Sequence, residues 1–416
     1  MTFKRFLKTN IEETLEYAPI VLINGARQSG KSTLAKELIE SGKLSRYITL
    51  DDPINLANFL DSSIPFLERL ERGTVIDEIQ KAAEAFSSIK YVVDENRLPG
   101  RFLLTGSANI LLLPKLADSL AGRIAIHTHI PHSQREIIGR KEDFVDWLFS
   151  DEFDNFKVKP YTDILERVAR GSYPEPTNGD YDQKRLDFWY QSYLQTLLLK
   201  DVRDVANIEQ VGFMPLLLKV LAARTGNILN YADISRTLEN LNTKTLTRYI
   251  KLLQTLYLVE TLPAWYSNYT KKLIKSPKIY LNDTGFAMYL LQKDIEGLEY
   301  DRSLYGNLLE NFVITEIQKQ FGWVKVRPSM YYLRTKDGQE IDLILEAKND
   351  KLVAIEIKAS SNFKMNSIDN IKEFQKVMGD KFHRGIIFYT GNQFHRLTDK
   401  IYALPIQTLW EERVEI

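Results

Sequence analysis

Short apolar runs alternate with amphipathic stretches along the early part of the chain. Five of these runs have the length of buried strands, and they read PIVLIN, RYITLDD, GTVIDEI, RFLLTGS and IAIHTHI. Between most of them apolar residues recur at helical spacing, as Leu34, Leu38 and Ile39 do in STLAKELIE. This alternation predicts a parallel sheet with helices on both faces, a fold in which ligands bind at the carboxyl ends of the strands.

The first run leads into INGARQSGKST, which fits the phosphate-loop pattern G-x-x-x-x-G-K-[ST] at every fixed position. Glycines let backbone N–H groups turn toward phosphate oxygens, and the start of the next helix adds partial positive charge. We expect Lys31 to reach the β- and γ-phosphates and the Ser32 hydroxyl to ligate Mg²⁺. The predicted nucleotide contacts are Gly25, Ala26, Arg27, Gln28, Ser29, Gly30, Lys31, Ser32 and Thr33.

Two carboxylates end the third run, TVIDEIQ. We expect Asp77 to hold the Mg²⁺ that Ser32 also touches, and Glu78 to orient and polarise the attacking water. An Asp-Glu pair at a strand end is by itself more often a turn. The complete phosphate loop earlier in the chain favours the metal and water roles here.

Polar residues also follow the fourth run, in LLTGSAN, and an arginine precedes the fifth, in SLAGRIAI. Thr105 and Ser107 are candidate contacts of the γ-phosphate, between the loop strand and the metal strand. The alternative is an ordinary strand-to-helix turn with Ser107 as the N-cap. Arg123 is a candidate catalytic arginine that acts on the nucleotide of a neighbouring subunit, which predicts a homo-oligomer. Its alternative role is a surface charge at a helix end.

The stretches INGARQSGKSTL, VIDEIQK, LLTGSAN and SLAGR, in this order, resemble the prokaryotic AAA-type ATPases that carry a C-terminal domain of unknown function. The stretch GSYPEP, residues 171–176, resembles a Gly-Tyr-Pro signature that follows the ATPase core in that family. The resemblance implies an ATPase core that binds ATP and a C-terminal domain with a nuclease-like fold.

The middle of the chain has the pattern of a winged helix-turn-helix module. Three helices are expected at 213–224, 231–238 and 243–256, with Asn242 as the cap of the third. The runs LVETLPAW and KIYLND would then form a two-stranded wing. The third helix carries a basic face of Lys244, Arg248 and Lys251, and the wing adds Lys271, Lys272, Lys275 and Lys278. These charges predict contact with a DNA backbone, and the alternative is a solvated basic face on a module for protein contacts.

The stretch GQEIDLILEAKNDKLVAIEIKAS predicts a hairpin that turns near Asn349. In that register Asp342 lies opposite Glu356, and Glu340 lies opposite Lys358. The same face holds Ile344 and Ala354, and the other face is the expected core of Ile341, Leu343, Leu345, Val353, Ile355 and Ile357.

Two carboxylates and a lysine on one face are typical of a D…(D/E)-x-K metal-dependent nuclease. We expect Asp342 and Glu356 to bind Mg²⁺ with Glu310 from an earlier helix, and Lys358 to activate the attacking water. The alternative is a salt-bridged hairpin, because opposed acids are unfavourable unless something neutralises them. No short motif separates an active nuclease from a binding domain of the same fold.

Composition limits these hypotheses. The chain has 416 residues with 55 basic and 55 acidic side chains, so any DNA surface must be a local patch. It has no cysteine, which excludes disulfides, thiol nucleophiles and cysteine metal sites. The first residues lack the apolar core of a signal peptide, and no run approaches a membrane span. We therefore expect a cytoplasmic protein without a membrane partner.

The sequence thus predicts an α/β protein with a P-loop NTPase parallel sheet of the AAA type in residues 1–150. A helical linker or lid follows at 151–205, a winged helix-turn-helix module at 206–300, and a small α/β restriction-endonuclease-like domain at 301–416. The expected function is Mg²⁺-dependent ATP hydrolysis that drives or gates action on duplex or branched DNA. The alternative is a nucleotide-dependent switch whose nuclease-like domain is inactive and serves binding.

Overall fold

The computed structural model describes residues 3–107, 122–140, 144–151, 153, 156–159, 163–201, 211–239, 241–265, 276–362 and 365–415. Its N-terminal part contains a five-stranded sheet in the order β2-β3-β4-β1-β5, with every neighbouring pair parallel. The strands are β1 Ile20–Asn24, β2 Arg46–Thr49, β3 Thr74–Asp77, β4 Phe102–Gly106 and β5 Ile124–Thr128. The predicted parallel sheet and its five strands are confirmed.

Helices cover both faces of this sheet. They are α1 Leu7–Leu15, α2 Lys31–Glu40, α3 Pro53–Asp61, α4 Ser63–Glu68 and α5 Phe86–Glu95. All of β1 is buried, with Val21 and Ile23 packed in the cluster of α1 and α2, and Ile20 and Leu22 in the cluster of α3 to α5. A strand that is buried on both sides needs a continuous apolar run, which is what PIVLIN provides.

The middle of the chain is mainly helical. Its helices are α6 Gln134–Ile137, α7 Phe144–Leu148, α8 Ile164–Arg170, α9 Pro174–Asn178, α10 Gln183–Thr196, α11 Met214–Ala222, α12 Tyr231–Thr237, α13 Thr243–Thr255, α14 Thr284–Leu291, α15 Ile295–Tyr300 and α16 Arg302–Gln320. The three predicted helices are present as α11 to α13, and the Asn242 side chain caps α13 by accepting from the Lys244 N–H at 2.8 Å. Strands β7 Val259–Leu262 and β8 Lys278–Leu281 pair in the antiparallel sense, as predicted.

The C-terminal part contains a six-stranded sheet in the order β13-β14-β12-β11-β10-β9, with helix α17 Asp369–Met378. Its strands are β9 Ser329–Arg334, β10 Glu340–Glu346, β11 Leu352–Lys358, β12 Phe382–Tyr389, β13 His395–Arg396 and β14 Ile401–Pro405. A further two-stranded sheet pairs β6 Phe156–Lys157 with β15 Val414–Glu415. The end of the described chain therefore returns to the segment that follows the N-terminal sheet.

The hairpin of β10 and β11 has the predicted register, because Leu343 pairs with Ile355, one step from the predicted pair of acids. One prediction for this hairpin is wrong. Ile341 does not share the cluster of Leu343, and instead packs in the cluster that holds Ile344 and Ala354. The pairing of β10 with β9 is irregular between Ile341 and Ile344, and an irregularity of this kind redirects a side chain.

One apolar cluster runs through the middle helices and the C-terminal sheet, and it includes Leu217, Tyr249, Phe388 and Trp410. The residues on the two faces of the N-terminal sheet form separate clusters. Within the described part of the chain, no helix is both long enough and apolar enough to cross a membrane.

Candidate functional site

The phosphate loop joins β1 to α2 at the carboxyl edge of the N-terminal sheet. Gly25 has a φ of 149° and Gly30 a φ of 101°, values that favour glycine. A Cβ atom on Gly25 would collide with the carbonyl oxygen of His129, directly after β5. Gly30 is the N-cap of α2, so the positive end of that helix faces the loop.

Hydrogen bonds from Lys31 within the loop, and from Arg5 and to His129 outside it, fix the conformation of the phosphate loop. The buried Lys31 ammonium donates to the carbonyl oxygens of Gly25 at 3.0 Å and Ala26 at 2.7 Å. The Ser29 hydroxyl donates to the His129 carbonyl at 3.1 Å, and the Ser29 carbonyl accepts from Arg5 at 2.5 Å. Sequence reasoning missed Arg5 and His129, because neither lies in a recognisable motif.

The outer side of the loop is accessible. Gln28 and Thr33 are exposed and Arg27 is half-buried. A cleft of about 850 Å³ opens beside Gln28, and α10 lines its other side with Arg185 and Trp189 among others. This volume is in the range of small-molecule sites.

Three hydroxyl groups converge on Asp77. The Ser32 hydroxyl lies 3.1 Å from Oδ2, and the hydroxyls of Thr105 and Tyr47 also donate to the carboxylate. Strand β4 lies between β3 and β1, so Thr105 has the predicted place, although its contact here is Asp77. Tyr47, from the neighbouring β2, was not predicted. Burial and the hydrogen bond to Asp77 raise the pKa of Tyr47, which keeps its hydroxyl a donor.

Glu78 follows directly, with a left-handed backbone at φ 58° and ψ 42°. Such a conformation costs roughly 1 kcal/mol or more for a non-glycine residue and is frequent at functional sites. The Glu78 carboxylate accepts from the Gln80 amide, which also donates to the Ser107 hydroxyl at 2.9 Å. Gln80 thus connects two predicted residues. Its only signal in the sequence is its place in the same strand-end motif.

Arg123 lies at the amino ends of the strands, whereas the phosphate loop lies at their carboxyl ends. It directly precedes β5, where Ile124 pairs with Ile20 at the start of β1, whereas the loop follows the end of β1. Its guanidinium binds Asp94 through two nitrogens, with Nη2 at 2.9 Å from Oδ2. The length of β1 separates Arg123 from the phosphate loop of its own chain, so Arg123 cannot contact a nucleotide bound there. A catalytic role on the nucleotide of a neighbouring subunit stays a prediction.

Arg5 also begins a buried polar network. Its Nη1 donates to Glu136 at 2.8 Å, and Glu136 forms a capping box with Ser133 at the start of α6. Burial alone would raise the pKa of Glu136, but Arg5 and His132 outweigh it and bring the pKa to about 2. Glu136 is therefore a carboxylate that supports the loop through Arg5.

The network continues into α16 and the GSYPEP segment. The Gln134 N–H donates to Glu316 at 2.8 Å, and Lys319 donates to Glu316 at 2.6 Å and to the Ser172 hydroxyl at 2.9 Å. In the same segment Pro174 lies about 4 Å from the position of a Cβ on Gly30. Residues of α6, α16 and the GSYPEP segment therefore form the surroundings that support Arg5 and the phosphate loop.

The predicted nuclease residues contact lysines. The Lys278 ammonium lies 2.9 Å from Glu310, 2.7 Å from Glu340 and 3.9 Å from Asp342, and we call these three residues the acidic cluster. Burial and the nearby Asp342 raise the pKa of Glu310 to about 7, although Lys278 and the Tyr280 hydroxyl lower it.

The other two predicted residues pair with each other. The Lys358 ammonium lies 2.6 Å from the Glu356 carboxylate, and Asp342 accepts from the Ile357 N–H at 2.8 Å. Among the residues that the structure describes, no group of three or more His, Asp or Glu side chains has a metal-binding arrangement. The metal site predicted at Glu310, Asp342 and Glu356 stays a prediction, and lysine side chains contact these carboxylates in the structure.

The prediction that Lys278 contacts DNA is wrong. Its side chain is only 2% exposed, because all of β8 is buried and its ammonium points into the acidic cluster. Lys271, Lys272 and Lys275 lie outside the described residues, as does Asn109 of LLTGSAN. The basic face of α13, Lys244, Arg248 and Lys251, is exposed.

The sheet order, the phosphate loop and the adjacent acids define a P-loop nucleotide-binding domain. Comparison with known proteins gives the finer class, since residues 17–138 match the model of an AAA domain. Residues 161–296 and 305–409 match two models that are each described as a domain of unknown function (DUF8612 and DUF4143). The AAA domain of the expected resemblance is confirmed for residues 17–138. The winged-helix and nuclease-like identities of the remainder stay predictions.

Related proteins align with most of this chain and over most of their own length. An uncharacterized protein of Mycobacterium tuberculosis is 27% identical over 406 residues, which cover 97% of this chain and 83% of the relative. One of Haemophilus influenzae is 23% identical over 386 residues, with 86% and 88% covered. Among solved structures, a Walker-type ATPase of Pyrococcus abyssi has a TM-score of 0.45 at 15% identity, with 70% of this chain and 96% of that chain covered. AMPPCP-bound DnaA from Aquifex aeolicus has a TM-score of 0.27 at 12% identity, with 60% and 86% covered.

Proposed function

We propose that the protein hydrolyses ATP at the phosphate loop in a Mg²⁺-dependent reaction. The observation that carries this proposal is the convergence of Ser32 and Asp77, 3.1 Å apart, beside the buried Lys31 ammonium. Glu78 follows at the same edge of the sheet. This is the combination of cation, hydroxyl and two carboxylates that phosphoryl transfer to water needs.

The donor set fits Mg²⁺, because a serine hydroxyl and a carboxylate are the hard oxygen ligands that this ion prefers. Ser32 and Asp77 would hold the ion, and Mg²⁺ bound there would neutralise charge on the β- and γ-phosphates. Thr105 and Tyr47 orient Asp77. Lys31 would exchange its loop carbonyl partners for phosphate oxygens.

Glu78 is the proposed acceptor for the attacking water. Its carboxylate is half-buried and accepts from Gln80, so its position is fixed before substrate binds. A fixed acceptor needs no reorganisation during the reaction, which is the main electrostatic advantage of an enzyme site.

The test separates binding from turnover. Lys31→Ala should lose ATP binding, because the charge of the β- and γ-phosphates goes unmet. Glu78→Gln should bind ATP like the parent and turn it over at least about tenfold more slowly, which corresponds to roughly 1.4 kcal/mol of barrier. Parental turnover in Glu78→Gln would refute the water-orienting role.

The exposed face of α13 favours a second function, binding of a duplex or branched DNA backbone that is gated by ATP. Lys244, Arg248 and Lys251 lie on one side of the helix without an intervening acid. Lysine and arginine contacts to phosphates release counterions, so such binding weakens steeply with salt.

We expect DNA to raise ATP turnover, and the Lys244→Ala/Arg248→Ala/Lys251→Ala variant to lose this effect at unchanged basal turnover. The matched control replaces the exposed lysines 348, 372 and 376 of the C-terminal part. If DNA fails to bind or to raise turnover in the parent, the nucleotide-dependent switch with a protein partner is the better description.

A further inference from the structure

The acidic cluster is built around a lysine from a distant part of the chain. Lys278 comes from β8, Glu310 from α16, and Glu340 and Asp342 from β10. The Lys278 ammonium lies within 3 Å of both Glu310 and Glu340, at 2.9 and 2.7 Å. Strand β8 can bring it there because all four of its residues are buried and its backbone is paired with β7.

Three cationic side chains contact the four carboxylates at this place. The Lys278 ammonium pairs with Glu310, Glu340 and Asp342. Arg334 forms a further ion pair with Glu340 at 3.2 Å, and Lys358 pairs with Glu356 at 2.6 Å. Carboxylates that face one another repel, and a buried carboxylate without a cation is costly. Glu310, Glu340, Asp342 and Glu356 therefore each have a cation in the protein itself.

The same arrangement does not fit Mg²⁺. That ion needs a near-octahedral set of oxygens at about 2.1 Å, whereas the nitrogen of Lys278 already lies within 3 Å of Glu310 and Glu340 and 3.9 Å from Asp342. A divalent cation placed there would meet an ammonium at close range. Among the described residues no alternative group of three acids or histidines offers a site nearby.

We propose that the ligand of the acidic cluster is the ammonium group of Lys278, so the cluster binds no divalent metal while β8 lies against it. Its role is then a polar contact that fixes the β7–β8 sheet to the C-terminal sheet. This inference is independent of the proposed ATP hydrolysis, because it concerns a different site.

Neighbouring contacts support this role. The Tyr280 hydroxyl, on the same side of β8, donates to Glu310 at 2.6 Å. On the other side of the lysine, the Tyr332 ring lies 5.6 Å from its ammonium. The Tyr332 backbone also exchanges hydrogen bonds with the Pro263 carbonyl at 3.0 Å and the Trp265 N–H at 2.6 Å. The end of β7 and the edge strand β9 are thus joined around the lysine.

The experiment measures Mn²⁺ binding to the full chain by electron paramagnetic resonance, without nucleotide, so that the ATP site and its outcome stay separate. We expect the parent to have no Mn²⁺ site that depends on Asp342. Lys278→Met should gain one site per chain, because the acids lose their cation, and Lys278→Met/Asp342→Asn should lose it again. Lys278→Arg is the matched control and should behave like the parent.

Melting temperatures provide a second readout. Lys278→Met should melt several degrees lower than the parent, and adding Glu310→Gln should recover part of the loss, because it removes a carboxylate left unpaired. Purely additive effects would contradict the proposed pairing.

The parent alone can overturn the proposal, even if Lys278→Met fails to fold. Stoichiometric Mn²⁺ binding by the parent that Asp342→Asn abolishes would show a metal site in the presence of Lys278. Plasmid nicking by the parent that Lys358→Ala abolishes would do the same.

Discussion

Gln80 is a single residue through which the ends of β3 and β4 meet. Its amide donates to the Glu78 carboxylate and to the Ser107 hydroxyl, so it fixes the direction in which Glu78 points. Without the hydrogen bond from Gln80, the half-buried Glu78 side chain could adopt other rotamers. We therefore regard Gln80 as a positioning residue that acts through Glu78.

Gln80→Leu should lower kcat severalfold and leave the ATP dissociation constant nearly unchanged, because Gln80 contacts neither Lys31 nor Asp77. Single-turnover and binding measurements on the purified variant separate the two quantities. Lys81→Ala is the matched control, since Lys81 is the next residue but pairs with Asp51 at 2.5 Å. Equal losses in binding and turnover would contradict a role through Glu78.

Two buried histidines make stability depend on pH. Burial lowers the pKa of His127 and of His132 to about 4, with Arg327 adding to the effect at the first and Arg5 at the second. In the unfolded chain both groups take up protons near pH 6.5, whereas in the folded protein they do so only near pH 4. Their contribution to stability is therefore complete above about pH 6.5 and is lost as the pH falls to 4.

We expect each of these two histidines to lower the free energy of unfolding between pH 6.5 and 4 by up to about 3 kcal/mol, against an opposite contribution from Glu310, whose pKa is raised to about 7. His127→Gln keeps a partner for the Thr14 hydroxyl, 2.9 Å from the histidine, and should remove one share of this slope. Urea titrations at a series of pH values measure the effect. An unchanged slope in the variant would show that His127 is not the titrating group.

At the scale of elements, patterns of burial and register could be predicted from the sequence. β1 was visible because both of its faces are buried, and the β10–β11 hairpin because alternation fixes its register. The position of Lys278 was not visible, since a lysine at the start of KIYL is typical of a strand end in water. Its burial depends on Glu310 and Glu340, which only the tertiary fold brings to it. The supports of the loop by Arg5 and His129 were missed for the same reason.

The phosphate loop offers a test of an element's backbone. Gly25→Ala should abolish ATP binding, because the new Cβ would collide with the His129 carbonyl and displace the loop. Gly42→Ala is the matched control. Gly42 also has a left-handed φ, 74°, but a Cβ there would meet no atom within 4 Å. Both variants place alanine at a positive φ, but only in Gly25→Ala does the new Cβ also meet the His129 carbonyl. Comparable ATP binding in the two variants would rule out this close approach as a requirement.

At the scale of the whole molecule, Arg123 and the phosphate loop lie at opposite ends of the parallel strands of the N-terminal sheet. A catalytic arginine at the edge remote from its own nucleotide can act only on another copy of the chain. The Asp94 carboxylate holds Arg123 half-exposed at that edge, where a neighbour could exchange for Asp94.

If Arg123 acts in this way, turnover per chain should rise with protein concentration. Chains with Arg123→Ala and chains with Lys31→Ala should each be inactive and should recover part of the turnover when mixed, because each supplies what the other lacks. Asp94→Ala tests whether the ion pair only stores the arginine, and it should not lower turnover. No recovery on mixing, with a monomer in light scattering, would remove the role in trans.

The apolar cluster that the middle helices share with the C-terminal sheet has a consequence for synthesis. Leu217 and Tyr249 pack in the same cluster as Phe388 and Trp410, which leave the ribosome much later. At roughly 5–20 residues per second, this delay is on the order of ten seconds or more. The N-terminal sheet has its own clusters and can fold first, whereas the middle helices expose an apolar surface until the last strands emerge. We therefore expect nascent chains to recruit chaperones through their middle part, and chains that end before the C-terminal sheet to aggregate.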